Sequence, residues 1–196
     1  MISLELLDGY LGQLSGLNQV VQQSHSRSIA DPPDMLFYEN QNIFVKSYLV
    51  SACSMLEAFI QDLATAYIDE IQERVNSANL PHNLMSWITD HEKAKMEFKA
   101  VHANKSRKDI SDLISPNYWK TIKAFERVGI RLEGSGVDNF KDIIVMRVEK
   151  RNLIVHHNDD ALDLSFSDIS DTIIQFSNYI VCLFNAVCAD PFRSAA

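Results

Sequence analysis

Residues 48–60 read Tyr48-Leu49-Val50-Ser51-Ala52-Cys53-Ser54-Met55-Leu56-Glu57-Ala58-Phe59-Ile60. Apolar positions recur here at spacings of three and four. Tyr48, Ala52, Met55 and Phe59 continue through Leu63 and Tyr67 along one face, and Leu56, Ile60, Ile68, Ile71 and Val75 widen it. That is the period of a helix, not of a strand, and it holds over about residues 39–76. A helix so long and so broadly apolar is expected to be a central pillar contacted on several sides. Glu57 falls inside it. It is either a partly solvated helix residue or an acid turned toward a site formed by the other long helices.

On either side the chain reads as more helix. Leu4, Leu7, Leu11, Leu14, Leu17 and Val21 form one stripe, weakened by Gly9, Gly12 and Gly16, so this first helix needs a surface to dock on. Residues 28–34, with Pro32-Pro33, form a linker. Residues 77–84 break the pattern, and a short helix lies around residues 84–88. Ser115-Pro116 opens another helix, with proline in its first turn, running through Trp119, Ile122, Phe125 and Val128 to Gly129. Residues 132–137 are a loop whose Gly134-Ser135-Gly136 lacks the ending of a phosphate-cradling P-loop. A helix is expected from 137 to about 155. A polar break over 163–168, with Ser167 or Asp168 as N-cap, then leads to a last helix over about 169–189.

With 6 Gly and 5 Pro in 196 residues, a sandwich or barrel is disfavoured. The expected fold is all-α, an up-and-down bundle of about four long helices in a single domain over residues 1–196. Residues 1–30 supply an N-terminal packing helix, and 77–130 hold short helical inserts.

Charge and cysteine usage narrow the function. A net charge of −8 argues against a protein that coats nucleic acid, because such binding draws on many cation–phosphate contacts. One basic concentration stands out: Lys93, Lys95, Lys99, Lys105, Arg107 and Lys108 against Glu92 and Glu97. It is either a solvated face or a landing strip for a phosphate backbone. Cys53, Cys182 and Cys188 are odd in number and lie in apolar helical patterns, so reduced core thiols in a cytoplasmic protein are expected. The acidic first residues carry no secretory pattern, and the greasy run over 179–189 is too short to span a bilayer, so no membrane association is expected.

The chemistry concentrates in Arg151-Asn152-Leu153-Ile154-Val155-His156-His157-Asn158. An arginine grips phosphate with a two-pronged fork, and a histidine moves protons near neutral pH. Ile144, Val148, Arg151 and Val155 share one side of the helix, so Arg151 interrupts an apolar stripe and needs a partner. Glu149, Asn152 and His156 share a neighbouring side, which lets Asn152 reach His156. Arg151 and His156 are about 140° apart around an ideal helix. They converge only if the helix ends near His156 or if the site is completed across an interface. Asn158-Asp159-Asp160 reads as such an ending, Asn tolerating the left-handed conformation. The plainer alternative is an imidazole resting on the helix dipole beside a surface arginine. His25, His82, His91 and His102 show no ligand spacing and no Cys/His cluster exists, so neither metal nor cofactor is expected. A serine-hydrolase elbow is also absent from the sequence.

At these residues the chain resembles the HEPN domains, helical bundles whose signature is Arg, four to six residues, then His, often with a polar residue directly after Arg. Arg151 to His156 matches that signature, and residues 48–60 resemble the family's long helix with its embedded acid. The resemblance, over roughly residues 40–187, implies a metal-independent endoribonuclease acting as a homodimer, with two motifs facing one cleft. It further implies a toxin or phage-defence role, with a cognate antitoxin or regulatory protein as possible partner. Arg151 would bind the scissile phosphate and His156 or His157 would act as acid or base. Asn152 would position them, and Glu57 would complete the catalytic set. The RNA's 2′-hydroxyl would attack, leaving a 2′,3′-cyclic phosphate. Lys99, Lys105, Arg107, Lys108, Arg147 and Lys150 form the candidate RNA-binding set. Some family members carry Tyr two residues after the His, where this chain has Asn158. Others are inert binding or dimerisation modules, which is the alternative reading.

Overall fold

The apolar signal around residues 48–60 folds as one 37-residue helix, and a computed structural model describes residues 2–89, 91 and 96–189. Among these, eight α-helices follow in order: α1 Leu4–Ser28, α2 Met35–Glu39, α3 Gln41–Ser77, α4 His82–Ile88, α5 Arg107–Ser111, α6 Tyr118–Arg127, α7 Lys141–His157 and α8 Phe166–Cys188. A short 3-10 turn, Val137–Phe140, leads into α7. No strand occurs among the described residues, and the architecture is an all-α bundle.

Four long helices alternate in direction. α1 runs against α3, with Tyr10 donating to Asp62 at 2.7 Å and Ser24 meeting the Tyr48 hydroxyl at 2.8 Å. α8 runs against α1, as Ser170 donating to Asn18 and the His25–Phe166 ring pair show. α7 runs against α3: Cys53 lies by the Arg147 carbonyl, and Asn42 and Lys46 by Asp160 just past the end of α7. α3 is therefore lined by α1, α7 and α8, and Leu49, Ala52, Cys53, Leu56, Phe59, Ile60 and Leu63 are fully buried in it. By length and composition α3 would pass for a membrane span; here those neighbours cover much of its apolar surface.

Several local expectations are corrected. The α1 stripe buries Leu7, Leu14 and Val21, but Leu4 is 67% exposed. Pro116 precedes the first turn of α6, since Asn117 is the N-cap and its side chain accepts from Lys120 N–H. The last helix begins earlier than its apolar pattern suggests. Ser165 is its N-cap, and Asp168 is the third helical residue, reaching back to the Ser165 N–H in a capping box. The same box, Ser106 with Asp109, builds α5 inside the segment read only as basic. Lys93 and Lys95 of that segment lie outside the described residues. Gly129, at φ +96°, follows the C-cap of α6 in a conformation that only glycine adopts without strain.

The loop joining α7 to α8 is tied down by one lysine. Lys150 Nζ donates to Asp159 at 2.6 Å and to the Asp160 carbonyl at 2.8 Å, and pairs with Asp163 at 2.6 Å. Asp160 in turn accepts from Asn42 and pairs with Lys46. Hydrogen bonds from Lys150 to Asp159 and Asp163 raise the lysine's pKa, and the Lys150 bond holds Asp163 low. The signs are opposite. The lysine's contribution is complete below its unfolded value near 10.4 and lost as pH climbs through the raised one, whereas that of Asp163 is complete above about 3.9 and lost as pH falls through the lowered one. The tie therefore holds between about pH 4 and pH 10. Lys150→Met is expected to cost about 1–2 kcal/mol and to speed amide exchange across residues 158–165, which exchange mass spectrometry reads directly. Unchanged exchange there would refute the tie.

Candidate functional site

The arginine of the motif finds its partner across the bundle. Arg151 Nη2 donates to Glu57 Oε2 at 3.1 Å and Nη1 donates to Asn152 Oδ1 at 3.1 Å. The Arg151 and Glu57 side chains are 20% and 30% exposed, so the pair sits at the seam of α3 and α7, half out of water. Arg151 Nε is buried with no hydrogen-bond partner. Two of the five guanidinium donors are thus committed to holding the group in place. Glu57 faces the motif helix, and the hydrogen bond made by Asn152 goes to Arg151 and not to His156.

His156 and His157 are the last two residues of α7, and both are exposed. Asn158 caps the helix in the left-handed conformation at φ 51°, and its N–H bonds the Leu153 carbonyl. The helix is regular through both histidines, so Arg151 and His156 stay about 140° apart around its axis. Val155, expected on the apolar stripe, is 51% exposed, because the stripe runs off the core at this end of α7. Burial pushes the neighbouring Cys53 thiol up to about 12 against the pull of Arg151, which leaves it an inert core residue and not a nucleophile.

The candidate RNA-binding cations are scattered. Lys99 pairs with Glu97, and Arg107 pairs with Asp62. The backbone at Lys105 bonds Gln72, and Lys108 lies in α5. Gln72 is fifteen residues beyond Glu57, about 22 Å along the axis of α3 at 1.5 Å per residue. The histidine end of α7 lies in the other direction, toward Asn42 and Lys46. Lys105 therefore lies well along α3 from the Arg151–Glu57 pair in one protomer, while Arg107, held by Asp62, lies nearer to that pair. Lys150 is spent on the loop described above. Arg147 is 8% exposed, buried on the opposite flank of α7 from Asn152 and His156, so neither is a free surface cation. Among the described residues no group of three or more His, Cys, Asp or Glu is placed to hold a metal ion.

A family model described as RiboL-PSP-HEPN matches residues 21–189. The chain belongs to the HEPN family. No curated protein and no solved structure matches it. The matched span of this HEPN domain contains α3, α7 and α8, and with them Glu57, Arg151 and His156. It begins within α1, although α1 packs along both α3 and α8. HEPN domains are commonly ribonuclease-type, which places the chain among nuclease and RNA-related modules.

The sequence concealed the role of Lys150. The acids that Lys150 ties could have been found as an Asp-rich run nine to thirteen residues after a lysine. Trp119 sits on the apolar stripe of α6 yet is 49% exposed; nothing in its spacing marks it out.

Proposed function

We propose that this HEPN domain is a metal-independent endoribonuclease, an effector of toxin or phage-defence type acting as a homodimer. The observation that carries the reading is the arginine of the motif, fixed at the α3–α7 seam by Glu57 and Asn152 beside an exposed His156. The remaining guanidinium protons of Arg151 fork onto the scissile phosphate and stabilise the charge that grows on it. His156 removes the proton of the 2′-hydroxyl; the 2′-oxygen bonds to phosphorus and the bond to the 5′-oxygen breaks. The departing oxygen takes a proton from solvent, leaving a 5′-hydroxyl and a 2′,3′-cyclic phosphate. The Arg151 and the His156 that meet at one phosphate come from different subunits.

Two features support the dimer. Arg151 and His156 diverge on one helix, so one protomer does not present both to a single phosphate. The surface beside them also presents uncharged side chains: Ser47 and Ser54 of α3 are exposed, as are Ile43 at 61% and Val155 at 51%. Co-purified heterodimers of Arg151→Ala and His156→Ala protomers are expected to regain roughly half of wild-type cleavage, because one of their two sites holds both groups. Each parent homodimer stays inactive. Heterodimers as inactive as the parents would refute a shared site. Total RNA incubated with the wild type in EDTA should be cut to cyclic-phosphate ends.

The second reading, an inert HEPN binding module, draws on the neutralised cations Lys99, Arg107 and Lys150 and the net charge of −8. A folded dimer that leaves RNA intact in EDTA would favour it.

A further inference from the structure

Where α3 runs on beyond Glu57, it closes a pocket of about 400 Å³ with α5 and α6. That volume lies in the range of small-ligand sites. The walls are aliphatic: Ile68 of α3, Ile110 of α5, Leu113 just after it, and Val128, the C-cap of α6. Ile110, at 1% exposed, is the most deeply buried of them, and Leu113, at 39%, opens to water. Ile68 lies eleven residues beyond Glu57, about 16 Å along the helix axis, so the pocket is separate from the Arg151 site.

Two exposed cations, Lys105 and Arg127, complete the wall. Neither side chain makes a hydrogen bond or ion pair among the described residues. The Lys105 backbone is pinned on both sides by one side chain: its N–H donates to Gln72 Oε1, and its carbonyl accepts from Gln72 Nε2. The lysine stem therefore starts from a fixed point beside the pocket. Arg127 stands in the last turn of α6. Asp109 is the one acid among the lining residues, and it already has partners. Its Oδ2 accepts from the Ser106 N–H at 2.9 Å and from the Ser106 hydroxyl at 2.8 Å, in the capping box of α5. The mouth thus offers two unpaired cations above an aliphatic floor.

That pairing of features selects one kind of ligand. An inorganic anion would satisfy the cations and leave the aliphatic walls wet, and a neutral hydrocarbon would do the reverse. No aromatic ring lines the pocket, so a base finds nothing to stack on. We propose that this pocket binds a medium-chain carboxylate. The alkyl chain lies against Ile68, Ile110, Leu113 and Val128, and the head group sits at the mouth between Arg127 and Lys105. The planar arginine fork matches the two carboxylate oxygens, and the lysine adds a point charge beside them.

The test titrates the full chain by calorimetry with octanoate, and with octan-1-ol and octylammonium as probes of equal length without the negative head. Saturable one-to-one binding of octanoate is expected, with octan-1-ol roughly tenfold weaker or more and no saturation by octylammonium. Across butanoate, hexanoate and octanoate, affinity should rise about two- to fourfold per methylene. Lys105→Gln/Arg127→Gln removes two side chains that hold nothing in the fold, so it should melt like the wild type and bind octanoate roughly tenfold more weakly. Leu113→Glu, at the open rim, sets a carboxylate against the ligand's own and should abolish saturation. Methyl NMR shifts at Ile68, Ile110 and Val128 on adding octanoate place the chain in the pocket. No saturation by octanoate, equal affinity for octan-1-ol, full affinity in the double variant or in Leu113→Glu, or unmoved methyls would each overturn the site.

Discussion

His156→Ala is expected to lower RNA cleavage by about 10²- to 10⁴-fold, the usual contribution of a positioned acid–base group, while leaving the melting temperature where the wild type has it. The two halves of that result come from different observations. The loss follows from the role proposed for the imidazole. The intact fold follows from its position: His156 is exposed at the end of α7 and its side chain makes no hydrogen bond among the described residues. An alanine there removes no packing and leaves no buried group unpaired. His157→Ala is the matched control, equally exposed and one position on. If the loss appears in His157→Ala and not in His156→Ala, the imidazole assignment moves by one residue. If both variants cut RNA at the wild-type rate, the ribonuclease reading fails.

Glu57→Gln carries the second large effect, this time on stability. Removing one partner of a buried ion pair strands the other, at about 3–5 kcal/mol for full burial. Arg151 and Glu57 are 20% and 30% exposed, and water screens part of that cost, so about 1–3 kcal/mol is expected. In a chain of this size each kilocalorie moves the melting temperature by about 2–4 °C. Thermal melts should therefore show a drop of roughly 2–12 °C. The double variant Glu57→Leu/Arg151→Met should recover most of it, since two apolar side chains replace the pair and nothing is left charged. Recovered stability without recovered cleavage would separate the arginine's chemistry from its structural cost. A Glu57→Gln protein that melts like the wild type would show that the pair does not hold Arg151 in place.

The sequence was enough to determine the long helices and what they are made of, though not the short α2 and α5. The three- and four-residue spacing of residues 48–67 specified the central α3, because an apolar face at that period can be buried only by a helix. Arg151, set into the stripe of Ile144 and Val148, announced that it would need a partner, and Asn158 announced where α7 stops. Those signals are local, carried by residues within a turn or two of one another. Capping was half legible: Asp168 was seen as a helix-start residue, but the box that makes Ser165 the cap requires the backbone geometry.

Only the tertiary structure decided which side chains meet. Glu57 and Arg151 lie 94 positions apart, and nothing in either segment specifies that α3 and α7 pack antiparallel at that register. The same packing placed Lys105 well along α3 from that pair, buried Arg147 unpaired, spent Lys150 on Asp159 and Asp163, and left Trp119 exposed on a stripe that its spacing assigns to the core. A charge or a ring carries the same letter in each of these settings. What it does depends on the dielectric and the partners around it, and those come from chain segments that local periodicity does not connect.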